Sequence, residues 1–375
     1  MKTVYLDNAS TTPLSPEVLS EMEPYLTGIY GNANSSHSLG RLAMAGLDLA
    51  REKVASLLSS EFNEIYFTSG GTESNNFALR GAFDARDNKN ALVISSIEHP
   101  SVLQTANVLE KKGALVYKVK PSVDGVVSVN DYKSEWLKNA FLTACMAVNN
   151  EIGSIEPIKE LAEKAHENGS LFFTDAVQGY ALKNLNVKDL GVDMLSLSAH
   201  KFGGPKGVGI IYIKNGVKIA PQLTGGHQER TRRSGTSNVA GAVGLAKALE
   251  LTRSNLDKDN LYVKTLRDNF VSRALEIKGV SVNGKNVICS NANLLFSGFS
   301  GEAILNNLDM KGVCASLGSA CTAGTLEPSH VLKEIGLSEK DALSSIRFTF
   351  SKNNTQSDVD YAVETLKEVV KNLAK

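Results

Sequence analysis

Between residues 65 and 213, short runs rich in β-branched and aromatic residues alternate with longer amphipathic segments, and no other feature constrains the fold as tightly. Such runs, separated by helix-length stretches, build βαβ units around a mainly parallel sheet. The pattern predicts strands over 65–68, 92–95, 115–119, 141–148, 171–174, 194–197 and 209–213. Between them, 102–111 and 158–167 carry apolar residues at helical spacing. The expected class is α/β with a doubly wound sheet.

After residue 213 the pattern changes. An irregular Gly-rich, Arg-bearing stretch (223–238) precedes helical runs over 239–253 and 259–276. Short strands near 280, 294–296 and 346–350 follow, then a helix over 356–372. This mixture predicts a smaller α+β domain. The expected division is a large domain over 16–255 and a small one made of 1–15 and 256–375, packed tightly because no repeat or linker separates them. A chain of 375 residues is long enough for both.

Forty Lys and Arg balance forty Asp and Glu, which removes the electrostatic footprint of a nucleic-acid or membrane-surface binder and leaves a small molecule as the expected partner. Hydrophobic residues at 42% and charged residues at 21% suit a folded globular chain. The four cysteines, Cys145, Cys289, Cys314 and Cys321, form no C-x-x-C pair, so no zinc or redox centre is expected and no metal is predicted. Sparse cysteine suggests a reducing compartment. With Asp7 arriving before any signal-length apolar segment, the expected location is the cytoplasm.

In an open parallel sheet the ligand lies at the carboxyl ends of the strands, so the residues that follow each strand belong together. They are Ser69-Gly70-Gly71-Thr72-Glu73, Glu98-His99, Asn149-Asn150-Glu151, Asp175-Ala176-Val177-Gln178 and Ser198-Ala199-His200-Lys201. Gly70-Gly71-Thr72 leads into a helix, where free N–H groups favour a phosphate; the plainer reading is a tight turn capped by Thr72. Lys201 is either a nucleophilic amine or half of an ion pair with Asp175. A phosphate cradle, a lysine, an aspartate and a histidine on one rim match the needs of pyridoxal phosphate: an imine-forming amine, a carboxylate for the pyridine nitrogen and an anchor for the phosphate.

His99 reads as a stacking and proton-transfer residue or as a hydrogen-bonded structural one, and His37 as structural. Arg230, Arg232 and Arg233 form a solvated loop or one that enters a neighbouring phosphate site. Cys145 reads as a small buried hydrophobe. Cys321 lies among small residues, Ser316 to Gly324, that predict an exposed loop, where a thiol is a liability unless used. Arg347 offers a fork of donors for a substrate carboxylate, or a domain-interface ion pair.

In combination these residues resemble the pyridoxal-phosphate cysteine desulfurases of the NifS and IscS group, class V aminotransferases of PLP fold type I. The resemblance runs from Tyr5-Leu6-Asp7-Asn8-Ala9-Ser10-Thr11-Thr12-Pro13 to the last helix. It takes in 68–75, Val148-Asn149-Asn150-Glu151-Ile152-Gly153, Asp175-Ala176-Val177-Gln178 and Ser198-Ala199-His200-Lys201. Further on it takes in Arg233-Ser234-Gly235-Thr236, the stretch around Cys321 with Leu326-Glu327-Pro328-Ser329, and Ser344-Ser345-Ile346-Arg347-Phe348.

The resemblance implies conversion of L-cysteine to L-alanine, with the sulfur taken as a persulfide on Cys321 and passed to an acceptor protein. Lys201 would carry the cofactor as an imine, Asp175 pair with its pyridine nitrogen and His99 stack on its ring. Gln178 and Asn150 would contact the phenolic oxygen or the substrate. Gly71, Thr72, Ser198 and His200 would bind the phosphate, with Thr236 reaching the partner subunit's phosphate in a homodimer. Arg347, with Asn32 or Asn34, would hold the substrate carboxylate. The family's usual Gly-Asn-Pro-Ser-Ser is here Gly31-Asn32-Ala33-Asn34-Ser35, which leaves that role open between the two asparagines.

The chain ends at Lys375, short of the extension by which longer members engage an iron–sulfur scaffold, so the implied acceptor is that scaffold or an enzyme of tRNA thiolation or thiamine synthesis. The alternative within the class is a selenocysteine lyase or another aminotransferase-like enzyme on the same scaffold. Cys321 favours desulfuration, because a transaminase has no use for a persulfide-forming thiol. Outside enzymes, the alternative is a sulfur-relay adaptor, which has no need of Lys201, Asp175, His99 and Cys321 together.

Overall fold

The structure is a computed structural model that describes residues 2–318 and 327–374. The strands among the described residues are β1 (Val4–Tyr5), β2 (Ile65–Thr68), β3 (Ala91–Ser95), β4 (Leu115–Val119), β5 (Ala140–Ala144), β6 (Leu171–Asp175), β7 (Met194–Ser198), β8 (Gly209–Ile213), β9 (Val280–Asn283), β10 (Asn291–Phe296), β11 (Val313–Cys314) and β12 (Ser345–Thr349). Seven of them form one sheet in the order β2-β8-β7-β6-β5-β3-β4. Within it β4, β3, β5, β6 and β7 run parallel, and β8 runs antiparallel to both its neighbours. The reversal of β8 follows from its connection: residues 199–208 are too few for a parallel crossover, which takes about a dozen or more.

Both faces of this sheet are buried, as alternation along each strand requires. Ile65, Phe67, Val93, Phe172, Leu195, Leu197, Ile210 and Tyr212 face one core, covered by the helices Pro16–Thr27, Ser38–Leu58 and Val239–Ser254. Tyr66, Leu92, Ile94, Phe173, Met194, Ile211 and Ile213 face the other, covered by Gly71–Asp84 and Pro100–Lys111. Helices on both faces make the sheet doubly wound.

One predicted strand is shorter than its apolar run. β5 ends at Ala144, and Cys145 to Val148 continue as irregular backbone. Beyond Ala144 the Glu98 carboxyl takes the Met146 N–H at 2.7 Å, while Cys145 and Ala147 still donate to Phe173 and Asp175 carbonyls on the β6 side. A side chain thus replaces the ladder on one edge.

A separate core gathers Val4, Leu6, Phe270, Leu294, Phe296, Phe348 and Val363. Around it lie the antiparallel sheet β12-β10-β9, the parallel pair β1-β11 and the helices Leu256–Ala274, Gly301–Met310 and Gln356–Leu373. The N-terminal segment therefore packs with the C-terminal third. The Arg-bearing stretch folds back onto β2: Glu229 pairs with both terminal nitrogens of Arg51 at 2.7 Å and accepts from Phe67 N at 2.9 Å. That grip holds Glu229, Arg230 and Thr231 in left-handed backbone at φ 45°, 55° and 66°.

Candidate active site

A cavity of about 770 Å³ opens where the carboxyl ends of β2, β3, β5, β6 and β7 meet the C-terminal third of the chain. Gly71, Thr72, His99, Asn150, Asp175, Gln178, Ser198, His200, Lys201 and Arg347 all line it. Asn32, Asn34 and Thr236 do not, and Thr236 is exposed in the single chain. Cys321 lies outside the described residues.

At the β2 end the chain turns at Gly70, φ +150°, straight into the helix Gly71–Asp84. Space dictates the glycines here: a Cβ on Gly71 would meet Val177 Cγ2 at 2.7 Å, and one on Gly209 would meet Gly70 Cα at 2.7 Å. The first intrahelical bond is Ser74 N to Gly70 O, so the N–H groups of Gly71, Thr72 and Glu73 precede the ladder at the positive end of the helix, a geometry that favours an anion. The N-cap position is Gly70 rather than Thr72. Glu73 braces the turn by accepting from Ser69 N at 2.7 Å, and Arg233 clamps Glu73 at 2.7 and 3.0 Å. Arg230 stacks on Tyr66 at 4.2 Å and donates to Ile65 O while remaining exposed, and Arg232 and Arg233 are half-buried, so the cluster packs against the back of the turn with one edge in solvent.

Asp175 ends β6, 4% exposed. Its carboxylate accepts from Val177 N at 2.9 Å and from the Asn75 amide at 2.6 Å; Ser196 in turn donates to Asn75 Oδ1 at 2.7 Å. Lys201 does not ion-pair with it. The Lys201 amine donates instead to the carbonyls of Ala9 and Ser10, at 2.8 and 2.9 Å, and Gln178 also reaches Ala9 O at 2.8 Å. Burial, with Arg347 nearby, pushes the amine down to about 8 against the smaller pull of Asp175 and Asp7. Burial, with Lys201 and Lys206, pushes His200 down to about 4, so its ring is neutral near pH 7.

His99 caps the helix Pro100–Lys111, its Nδ1 accepting from Ser101 N at 3.1 Å, which leaves the ring proton on Nε2. Burial lowers its pKa while Asp175 raises it. The ring serves the cap and the cavity together. Arg347, 3% exposed, donates to Asn150 O, Asp7 Oδ1 and Ser10 Oγ at 2.7, 2.8 and 2.8 Å. It makes the interface ion pair with Asp7, yet borders the cavity, and its Nε has no partner among the described residues.

Sequence reasoning gave no role to Asn75 or to Glu98, which it placed on the rim, and missed His330. Burial, with Asp175 next in effect, raises the Glu98 carboxyl well above the usual carboxylate range. His330, also on the cavity wall, bonds to Glu98 O at 3.1 Å. Among the described residues no group of His, Cys, Asp and Glu is placed to hold a metal ion, and no helix is long and apolar enough to cross a membrane.

A mainly parallel, doubly wound sheet with an imine-competent lysine, a buried carboxylate and an anion-binding turn on one rim defines a transferase of PLP fold type I. Residues 4–362 match the family Aminotransferase class-V. The chain belongs to that family. It is 44% identical over 99% of its length to cysteine desulfurase IscS of Clostridium botulinum, covering 95% of that protein, and 44% identical to cysteine desulfurase IscS of Methanosarcina thermophila, covering 99% of this chain and 93% of that one. A solved NifS-like protein superposes with a TM-score of 0.92 at 35% identity, covering 99% of this chain and all of that one. A structure of SspA in complex with cysteine superposes with a TM-score of 0.81 at 32% identity, covering 94% of this chain and all of that one.

Proposed function

We propose that this chain is a pyridoxal-phosphate-dependent cysteine desulfurase with the overall reaction L-cysteine plus an enzyme thiol to L-alanine plus an enzyme persulfide. The observation that carries this reading is the meeting of Lys201, Asp175, His99 and the Gly71–Thr72 turn on one cavity, in a chain 44% identical end to end to proteins named cysteine desulfurase.

The residues fit the cofactor. An amine near 8 is free often enough to attack an aldehyde, a carboxylate fixed by Asn75 and Val177 N suits a protonated ring nitrogen, and Thr72, Ser198 and neutral His200 suit a phosphate at the helix N-terminus. When bound, the cofactor withdraws electrons from the amino acid joined to it. Lys201 and His99 are the groups that hold and move protons at the substrate carbons. Asn150 and Gln178 orient the bound molecule, and the Arg347 guanidinium, which borders the same cavity, takes the substrate carboxylate.

The thiolate of Cys321 attacks the cysteine sulfur. A sulfur–sulfur bond forms, the carbon–sulfur bond breaks with its electron pair staying on carbon, and that carbon takes a proton to give alanine. The persulfide sulfur then passes to an acceptor protein, an iron–sulfur scaffold or a thiolation enzyme.

The same reading takes residues 16–255 as the large domain and 1–15 with 256–375 as the small one, in a cytoplasmic homodimer. The division is supported by the two cores on the large sheet, drawn from Val18 to Leu249, and the third drawn from Val4, Leu6 and residues 263–370. In the dimer, exposed Thr236 would reach the partner subunit's phosphate. Incubating the purified, cofactor-loaded protein with L-cysteine and excess thiol reductant tests the reaction: equimolar alanine and sulfide are expected. Turnover of L-selenocysteine alone would move the selenocysteine-lyase reading ahead.

A further inference from the structure

Glu151 has no role in the account above, yet it is 3% exposed and sits beside the residues assigned to the substrate. Its N–H donates to Asn149 Oδ1 at 2.9 Å, and its carbonyl accepts from Asn291 and Asn293 of β10 at 3.3 and 3.2 Å. These bonds fix the backbone and leave the carboxyl to do something else. It accepts the Ser329 hydroxyl proton. The same oxygen, Oε2, also lies against Gly318, φ +87°, whose absent Cβ would stand 3.1 Å from it. Gly318 and Ser329 lie on opposite sides of the segment 319–326, which contains Cys321.

Both flanks are tied further into the site. Ser329, its proton spent on Glu151, accepts from Leu332 N at 3.1 Å and so caps the helix His330–Glu334. Two residues before Gly318, Ser316 exchanges both backbone hydrogen bonds with Arg347, at 3.1 and 2.7 Å, and Arg347 Nη1 reaches Asn150 O at 2.7 Å. One buried carboxyl thus adjoins the two flanks and the Asn150–Arg347 pair. Burial raises its pKa, opposed by Ser329, His330 and Arg347. A buried acid with a single side-chain hydrogen bond among the described residues is a poor stabiliser beside an apolar residue of its size, which points to a use for it.

We infer that Glu151 is a positioning residue for sulfur transfer: it fixes Gly318 and Ser329, which border the segment bearing Cys321, relative to Arg347 and Asn150. The inference rests on the desulfurase reading. Glu151 borders the cavity beside Asn150, but its carboxyl bonds to Ser329 and to none of Lys201, Asp175, His99, Asn150 or Arg347, so its removal loosens the flanks of the Cys321 segment and leaves the groups that bind L-cysteine their own partners.

The test is a single-turnover experiment on the cofactor-loaded parent, Glu151→Ala, Glu151→Gln and Ser329→Ala. One readout is the absorbance change of the bound cofactor on adding L-cysteine; the other is the gain of one sulfur atom on Cys321 by mass spectrometry. In Glu151→Ala and Ser329→Ala the absorbance change should keep its rate and half-saturating concentration within about twofold, while sulfur transfer slows about tenfold or more. Glu151→Gln keeps an acceptor for Ser329 and should recover transfer to within about threefold of the parent. Transfer at the parent rate in Ser329→Ala overturns the inference, as does equal loss of both readouts or a failure of Glu151→Gln to recover. Should Glu151→Ala not fold, Ser329→Ala decides by the same criteria. A parent that gains no sulfur on Cys321 defeats the desulfurase reading itself, so the two failures are told apart.

Discussion

The Asn75 side chain, on the first helix after the phosphate turn, donates to the Asp175 carboxylate across 2.6 Å, and Ser196 of β7 holds the other end of that amide at 2.7 Å. The aspartate we propose for the pyridine nitrogen is therefore aimed by a residue one hundred positions earlier. Asn75→Ala removes that aim and leaves the buried Ser196 and Ser101 hydroxyls short of a partner. It should cost about 1–3 kcal/mol in urea unfolding. It should also lower kcat/KM for L-cysteine by about tenfold, which is about 1.4 kcal/mol of transition-state stabilisation. A variant with unchanged turnover would show that the bond is only structural.

The Lys201 amine, held down to about 8 by burial, gives a pH dependence of definite sign. In the unfolded chain a lysine titrates near its ordinary value of about 10.4, so above about pH 8 the unfolded state binds more protons than the folded one and stability rises with pH toward that value. Below pH 8 the cost of burying the ammonium is fully present. Lys201→Met in the cofactor-free protein should remove this rise, and urea midpoints of parent and variant at about pH 7 and about pH 9.5 measure it. The same shift leaves about a tenth of the amine free at pH 7, against less than one part in about a thousand for an ordinary lysine. Lys201→Ala should lose both the yellow absorption of the loaded protein and all turnover.

Arg347 joins Asp7, Ser10 and the Asn150 carbonyl through its two terminal nitrogens, a geometry that a lysine cannot copy. Arg347→Lys should raise KM for L-cysteine by about tenfold or more while leaving the absorption of the loaded protein intact. Breaking the largely buried pair with Asp7 should also cost on the order of 2–3 kcal/mol, read from urea unfolding. Full loss of the cofactor signal would place Arg347 in cofactor binding instead of substrate binding.

Strand positions were legible because apolar alternation survives in the sequence wherever both sheet faces are buried. Two features were not legible in that pattern. The direction of β8 is set by the length of 199–208, and the end of β5 is set by the Glu98 carboxyl, which takes Met146 N–H while Cys145 to Val148 stay apolar because they are buried under the rim. The rim residues Lys201, Asp175, His99 and Thr72 could be found because parallel strands deliver their ligands at one end. Asn75 and His330 could not, and Glu98 and Glu151 were placed on the rim without a role, since a polar residue acquires its role only from neighbours far away in sequence. Asn32, Asn34 and Thr236 were named by resemblance alone, and this single chain does not bring them to the cavity.

In the proposed mechanism cofactor chemistry and sulfur transfer separate at one atom, the Cys321 sulfur. The most direct measurement is single-turnover analysis of Cys321→Ser beside the parent, following cofactor absorbance, protein-bound sulfur and sulfide after addition of L-cysteine with a thiol reductant. The account predicts that the variant stays yellow and still changes its spectrum with L-cysteine, but gains no sulfur and releases no sulfide, while Cys145→Ser, Cys289→Ser and Cys314→Ser each desulfurate at close to the parent rate. Sulfide release by Cys321→Ser at the parent rate would contradict the persulfide mechanism.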